Sequence, residues 1–451
     1  MKKDYPYKYF KGRANIYKEI EPEVLDEYFE NIIEYFGEEW LDQRSNHPLC
    51  LLWKRKDFLA TNELFNLGYS LKRLKGINEP WLVKTGRLAK SDKPINSNGA
   101  FFEIFGIASL MSDDYKLVIP PVNQKGYDAT LEFGDIKSAK ISIKNFGVSV
   151  YHNVLMYRAS RIEEQIVKFL NDNNLTLYQV IIVTEDINLV AADWNLLEEE
   201  VVNILSHCIE SKKISTPNKL GKWKILIEEL GYPPDKVFKG KSSYSILIIA
   251  PYYDNEEKNV ISKIEDACND FKKTNIREDE SNINILFAHI SQNINLVNLE
   301  DWSRNFLENN PEKPISAIIL YQPTVVNTPN NYISHCFRYV VTEKYLKWSN
   351  LGGKTQLHFS VGVGQTFTEP TTVAFIIKDE AFKFENHYIY QSGNHYLLAE
   401  EEIDEETGGT NQSFTPFKVA SGIVAHGVFK AGDGSFTISQ HFPPKDELLI
   451  V

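Results

Sequence analysis

Gly126-Tyr-Asp-Ala-Thr-Leu-Glu-Phe-Gly-Asp135, with Ser138-Ala-Lys-Ile-Ser-Ile-Lys-Asn-Phe-Gly147 just after it, is the stretch whose reading decides the fold. From Asp128 the residues alternate as in a strand, with Asp128, Thr130 and Glu132 on one side and Ala129, Leu131 and Phe133 on the other. Gly134 and Asp135 supply a turn. Lys140 to Lys144 alternates again, with Lys140, Ser142 and Lys144 on one face. Paired as a hairpin, the two runs carry Asp128, Glu132, Ser142 and Lys144 together. Carboxylates beside a lysine, backed by apolar residues, suit a hard cation, a phosphate and an activated water.

The flanking sequence adds a third acid. A helix is expected from about Asn98 to Met111, and Glu103 is its only charge. Ile107 and Leu110, four and seven residues on, share its face, where a carboxylate is costly without a cation or metal beside it. The alternative is a solvent-facing Glu favoured by the helix dipole. Downstream, Arg158 to Leu170 reads as a helix and Tyr178 to Thr184 as a strand. This pattern resembles the PD-(D/E)xK nuclease superfamily, the restriction-endonuclease-like fold. There an Asp on one strand is followed by an acid-x-Lys triplet on the next, often with a helix-borne Glu upstream. The resemblance covers roughly residues 99 to 190. It departs from the family at Ser142-Ile143-Lys144, where serine stands in the acid's place, and no proline directly precedes Asp128.

The resemblance implies a mixed α/β fold with a restriction-endonuclease-like αββαβ core at 98–190. A helical region (1–97) precedes it, and an α/β region (191–330) and a β-rich region (331–451) follow. It implies a metal-dependent DNA endonuclease using Mg²⁺ or Mn²⁺, with a place in restriction or anti-phage defence. Asp128 is then the principal metal ligand and Glu103 the helix-borne acid. Lys144 orients the attacking water or stabilises the charged transition state. Because a serine hydroxyl is a poor Mg²⁺ ligand, Glu132 and Glu164 are the candidates to replace the acid missing at Ser142. The runner-up is a catalytically inactive nucleic-acid-binding or sensor protein that retains the fold. A third reading is an assembly protein with no nucleic-acid function.

Composition bounds these readings. With 451 residues, two or three domains are expected, and 43% hydrophobic content indicates well-packed cores. The net charge of −12 argues against indiscriminate binding to nucleic acid. Locally the balance reverses: from Lys54 to Lys93 there are ten basic residues against four acidic ones, a net +6. Lys72, Arg73, Lys75, Lys84 and Arg87 are the candidates to track a phosphate backbone of DNA, with RNA left open. The alternative is a solvated helix face. A homo-oligomer or a partner subunit of a defence system is compatible with such a chain.

Cys50, Cys208, Cys268 and Cys336 have no zinc spacing and read as buried free thiols. The start of the chain lacks an apolar signal core and the longest apolar runs are strand-sized, so a cytoplasmic protein without a membrane span is expected. No phosphate-binding Gly loop follows a strand. Asp57 to Lys75 reads as a helix, Gly76 to Asn98 as a connecting loop and Lys222 to Leu230 as a helix. Tyr244–Pro251, Asn284–Ile290 and Ile315–Tyr321 read as strands of an open sheet.

Overall fold

The computed structural model describes residues 22–438 except for 44, 46, 55–57, 122–125, 148, 176–177, 212–216, 230–243, 274–278, 292–293, 329–330, 363–364, 368–373, 378–379, 384–385, 394–395, 404–409, 418–426 and 430–435. They fall into two units: residues of 22–147 and 257–370 form the first, and those of 148–256 and 371–438 belong to the second.

Six helices open the first unit: α1 (Pro22–Phe36), α2 (Glu38–Asp42), α3 (Pro48–Lys54), α4 (Phe58–Leu74), α5 (Glu79–Ala89) and α6 (Pro94–Ser109). A meander of β1 (Lys116–Val118), β2 (Ala129–Phe133) and β3 (Lys137–Phe146) follows. The chain then enters the second unit through α7 (Val150–Asp172), β4 (Tyr178–Thr184), α8 (Ala191–Glu210), β5 (Asn218–Leu220), β6 (Trp223–Glu229) and β7 (Tyr244–Pro251). It returns to the first with α9 (Glu256–Lys272), β8 (Asn282–Ile290), α10 (Leu296–Asn309), β9 (Ala317–Thr328), β10 (Asn331–Val341), α11 (Glu343–Asn350) and β11 (Gln365–Phe367). The second unit ends with β12 (Ala374–Ile377), β13 (Glu380–Lys383), β14 (His387–Gly393), β15 (Tyr396–Ile403), β16 (Thr410–Phe417), β17 (Gly427–Phe429) and β18 (Phe436–Ile438).

The chain is therefore α/β, with one mixed sheet in each unit. The first has the order β1-β2-β3-β8-β9-β10-β11. β1, β2 and β3 run antiparallel, whereas β3 pairs parallel with β8, and β8 with β9. A parallel pair needs a crossover, and here α9 precedes β8 and α10 precedes β9. The expected hairpin is present in register: Ala129 faces Ile141 and Glu132 faces Ser138.

Alternation along β3 divides its side chains between two covered faces. Phe146, Leu286, Ala288 and Ile290 join Val260, Ile264, Ala267 and Phe271 of α9 in one buried cluster. Ser142 and Lys144 share that face of the sheet. Ile143 and Phe287 point the other way, onto α6: a Cβ built on Gly106 would lie 3.0 Å from Ile143 Cδ1 and 3.4 Å from Phe287. The glycine lets α6 approach the sheet this closely. Phe101, Phe102, Ile104, Phe105, Ile107, Ala108 and Leu110 are all buried, as expected of a helix that is apolar all round.

Three expectations are corrected. α7 and β4 do not complete the hairpin's sheet; they belong to the second unit, whose sheet has the order β14-β7-β4-β6-β5. The 98–190 core therefore does not coincide with a structural unit, and the 191–330 and 331–451 regions each contribute to both sheets. Lys222 to Leu230, expected as a helix, holds strand β6, with Trp223, Ile225 and Ile227 buried on one face; Leu230 lies outside the described residues. Gly76 to Asn98, expected as a loop, contains α5, capped by the Asn78 side chain accepting from Trp81 N–H at 3.1 Å. The four cysteines are free and buried, as expected. Among the described residues no helix is long and apolar enough to cross a membrane.

Phe102 is fully buried, with Phe287, His289 and Tyr321 within ring-contact distance. Phe102→Ala should lower the free energy of unfolding by about 3–5 kcal/mol in denaturant titrations. Leu51→Ala, at a half-exposed position, should change it by less than about 0.5 kcal/mol.

Candidate active site

Asp128 immediately precedes β2, where its backbone N–H still bonds Ile141 O at 2.8 Å. Its Oδ2 accepts the backbone N–H of Ile143 at 2.6 Å, so the carboxylate extends the β2–β3 ladder by one bond. Lys144 follows directly on β3, and its Nζ meets Asp270 Oδ2 at 2.6 Å. Antiparallel pairing brings the start of β2 and the far half of β3 to one end of the sheet. Glu103 comes to the same place from α6, and its Oε1 accepts from Trp81 Nε1 of α5 at 2.7 Å. Lys84, one helical turn after Trp81, adds a second cation.

Electrostatics tie these groups together. Burial, and next the Asp128 charge, push Glu103 up from 4.5 to about 7, against the Trp81 hydrogen bond and the Lys84 and Lys144 charges. Burial also raises Asp128, and Asp270 adds to the rise; the Ile143 N–H, Lys144 and Lys84 oppose it. Asp270 goes the other way. Burial acts to raise it, but hydrogen bonds from Lys144 and Lys273 outweigh this and hold it below the ordinary carboxylate range. The site thus has two carboxyls pushed toward their protonated forms, a third kept ionised, and lysines 84 and 144 close enough to be felt.

Of the residues expected from sequence, Glu103, Asp128 and Lys144 lie near enough for their charges to act on one another, as does Lys84, although α6 packs on the sheet face opposite the Lys144 face. Ser142 lies between the two strands' partners on the Lys144 face, 1% exposed, its hydroxyl without a hydrogen-bond partner among the described residues. Glu132 does not join. It shares the strand face of Asp128 but lies four residues on, roughly 13 Å at the strand rise, beyond the reach of one ion. It pairs instead with Lys116 of β1 at 3.0 Å, largely in solvent. Glu164 lies on α7 in the second unit, where it lines a depression with Glu163, Lys168 and Tyr244.

The basic segment divides in two. Lys72 and Lys75 of α4 are bound to Glu27 and Glu34 of α1, each at 2.7 Å. Arg73 donates to Tyr69 Oη at 2.8 Å and to Met111 O at 2.5 Å. These three side chains hold the helical layer together. Lys84 and Arg87 are exposed on one side of α5.

Asp270 and Trp81 were not anticipated. Asp270 is 126 residues beyond Lys144, across the second unit's first segment, and no local pattern marks it. Trp81 could have been found from the α5 signature, Asn78 as cap with Pro80 in the first turn. Comparison with protein-family models, with curated proteins and with solved structures finds no match.

A titration tests the burial of Glu103. Its folded pKa lies above its unfolded value, so the stabilising contribution is complete below about pH 4.5 and is lost as pH rises through about 7. Glu103→Gln keeps an acceptor for Trp81 and should remove that loss. The variant should match wild type near pH 4.5 and exceed it at pH 8 by at most about 3 kcal/mol, read from denaturation midpoints across pH.

Proposed function

We propose that this protein is a metal-dependent phosphodiesterase acting on nucleic acid, a DNA endonuclease of the PD-(D/E)xK type. The observation that carries the reading is the convergence of Glu103, Asp128 and Lys144 from a helix and two strands at one end of a mixed sheet. The order of elements around them supports it. Helix, hairpin, helix, strand is the core the family resemblance implies, and α6, β2–β3, α9 and β8 follow that order once residues 148–256 are passed over as an insertion.

Among the described residues no three acid, His or Cys side chains already converge as a ligand set. Mg²⁺ does not need three: it is commonly held by one or two carboxylates, with waters and substrate phosphates completing the octahedron. Glu103 and Asp128 fit that description. They offer hard oxygen donors in a partly buried setting that penalises their charged forms, a penalty a dication would relieve. Such an ion lowers the pKa of a bound water and draws charge off the scissile phosphate.

The chain's own groups supply the rest. Lys144 supplies an ammonium whose charge acts on Asp128 and would stabilise negative charge gathering on the phosphate in the transition state. Lys84, exposed on α5, holds the approaching phosphate backbone, and Arg87 extends that contact by one turn. Trp81 fixes the Glu103 carboxyl through its indole N–H. The second reading, a binding protein without cleavage, is favoured by Ser142 standing where the family carries an acid.

A nicking and linearisation assay on plasmid DNA with Mg²⁺ or Mn²⁺ tests the reading. Wild type should cleave, Lys144→Ala should fall at least about 100-fold with DNA binding retained, and Asp128→Ala should lose both cleavage and metal binding. Binding without cleavage under every divalent ion would select the second reading. For the basic segment, Lys84→Ala and Arg87→Ala should each reduce the slope of log affinity against log salt by about one. Lys72→Ala and Lys75→Ala should leave that slope unchanged, since their partners are α1 carboxylates.

A further inference from the structure

Asp270 is the charged group at this site that neither the hairpin motif nor the family pattern supplies. It belongs to α9, the crossover helix packed on the Lys144 face of the sheet. Both of its oxygens are engaged: Oδ2 takes Lys144 Nζ and Oδ1 takes Lys273 Nζ, each at 2.6 Å. Lys273 lies in the turn just after α9, three residues on from Asp270, so it braces the carboxylate from the end of the same segment. The scaffold beneath is rigid, because Ala267 and Phe271, on either side of Asp270, are buried against β3 and β8.

The site needs such an anchor. A lysine side chain has four rotatable bonds and loses up to about 2 kcal/mol of rotamer entropy when fixed, so without a partner its ammonium wanders. A carboxylate at position 142, two residues before Lys144 on the same face, could have provided one. Ser142 does not, and its buried surroundings leave little room for a longer acid. The acid reaches Lys144 from the neighbouring helix instead.

We propose that Asp270 is a positioning residue: it holds the Lys144 ammonium where its charge acts on Asp128 and supplies from α9 the third negative charge absent from Ser142. This rests on the phosphodiesterase reading of the site. Asp270 acts through Lys144, and the metal carboxylates remain Glu103 and Asp128. Asp270→Asn keeps the shape and removes the charge; Asp270→Glu restores the charge on a longer stem. With 27% of the Asp270 side chain exposed, both substitutions are compatible with folding, which circular dichroism checks.

The experiment is a double-mutant cycle over Lys144→Ala and Asp270→Asn, read in single-turnover cleavage of a DNA duplex and in Ca²⁺ binding by calorimetry. Asp270→Asn should lower the cleavage rate by about 100-fold, as expected for a misplaced catalytic group, with KM and Ca²⁺ affinity nearly unchanged. Asp270→Glu should recover most of the rate. The double variant should be no slower than Lys144→Ala alone, because the two losses share one route. Additive losses, or a fall in Ca²⁺ affinity in Asp270→Asn, would overturn the inference while leaving the phosphodiesterase reading intact. A wild-type protein that binds DNA and never cleaves it would overturn that reading, and the inference with it.

Discussion

Everything at the candidate site depends on the partial burial of one carboxyl group. α6 is apolar on every side because helices cover one face and the sheet the other, and Glu103 is its single ionisable residue. Burying a carboxylate costs several kcal/mol unless it is hydrogen-bonded and paired, or else it takes up a proton. The protein meets that cost in part with the Trp81 indole and two nearby lysines, and in part by shifting Glu103 to about 7. Asp128 beside it is raised as well. Two acids shifted toward their protonated forms at one end of the sheet form an arrangement that a divalent cation would stabilise and that plain structural packing does not require.

That arrangement is held by long-range connections. Lys144 reaches Asp270 across 126 residues of chain, and Trp81 reaches Glu103 from a separate helix. The β3–β8 pairing closes a longer span, with nine residues of β3 in parallel register against β8 from Ser138↔Asn282 to Phe146↔Ile290. The chain leaves the first unit just after β3 and returns to it at α9, ahead of β8. A loop of this length adds little to the entropic cost of closure, which grows only with the logarithm of length. A continuous parallel ladder can therefore be kept across it.

Much of this was legible in the sequence. The hairpin, its turn at Gly134–Asp135, the sharing of one sheet end by Asp128 and Lys144, and the apolar helix carrying Glu103 all follow from period-two and period-3.6 patterns read locally. The partner of β3 was not legible: β4 and β8 are equally apolar runs following equally amphipathic helices, and only tertiary pairing tells them apart. Glu132 failed for a simpler reason. Alternation assigns a face, whereas a shared ion requires proximity, and four residues of strand exceed its reach. In β6 the buried residues recur at 223, 225 and 227, a strand period hidden among lysines and glutamates that suggested a helix. Lys72 and Lys75 show that a run of basic residues can be spent on carboxylates of the next helix.

The central claim is that Glu103 and Asp128 form a cation site, and it is tested most directly by calorimetry of Mn²⁺ binding at pH 7 in buffers of different ionisation enthalpy. Binding should be accompanied by release of protons from Glu103, with the release reduced in Glu103→Gln and the binding lost in Asp128→Ala. Binding that releases no proton, or persists unchanged in Asp128→Ala, would contradict it.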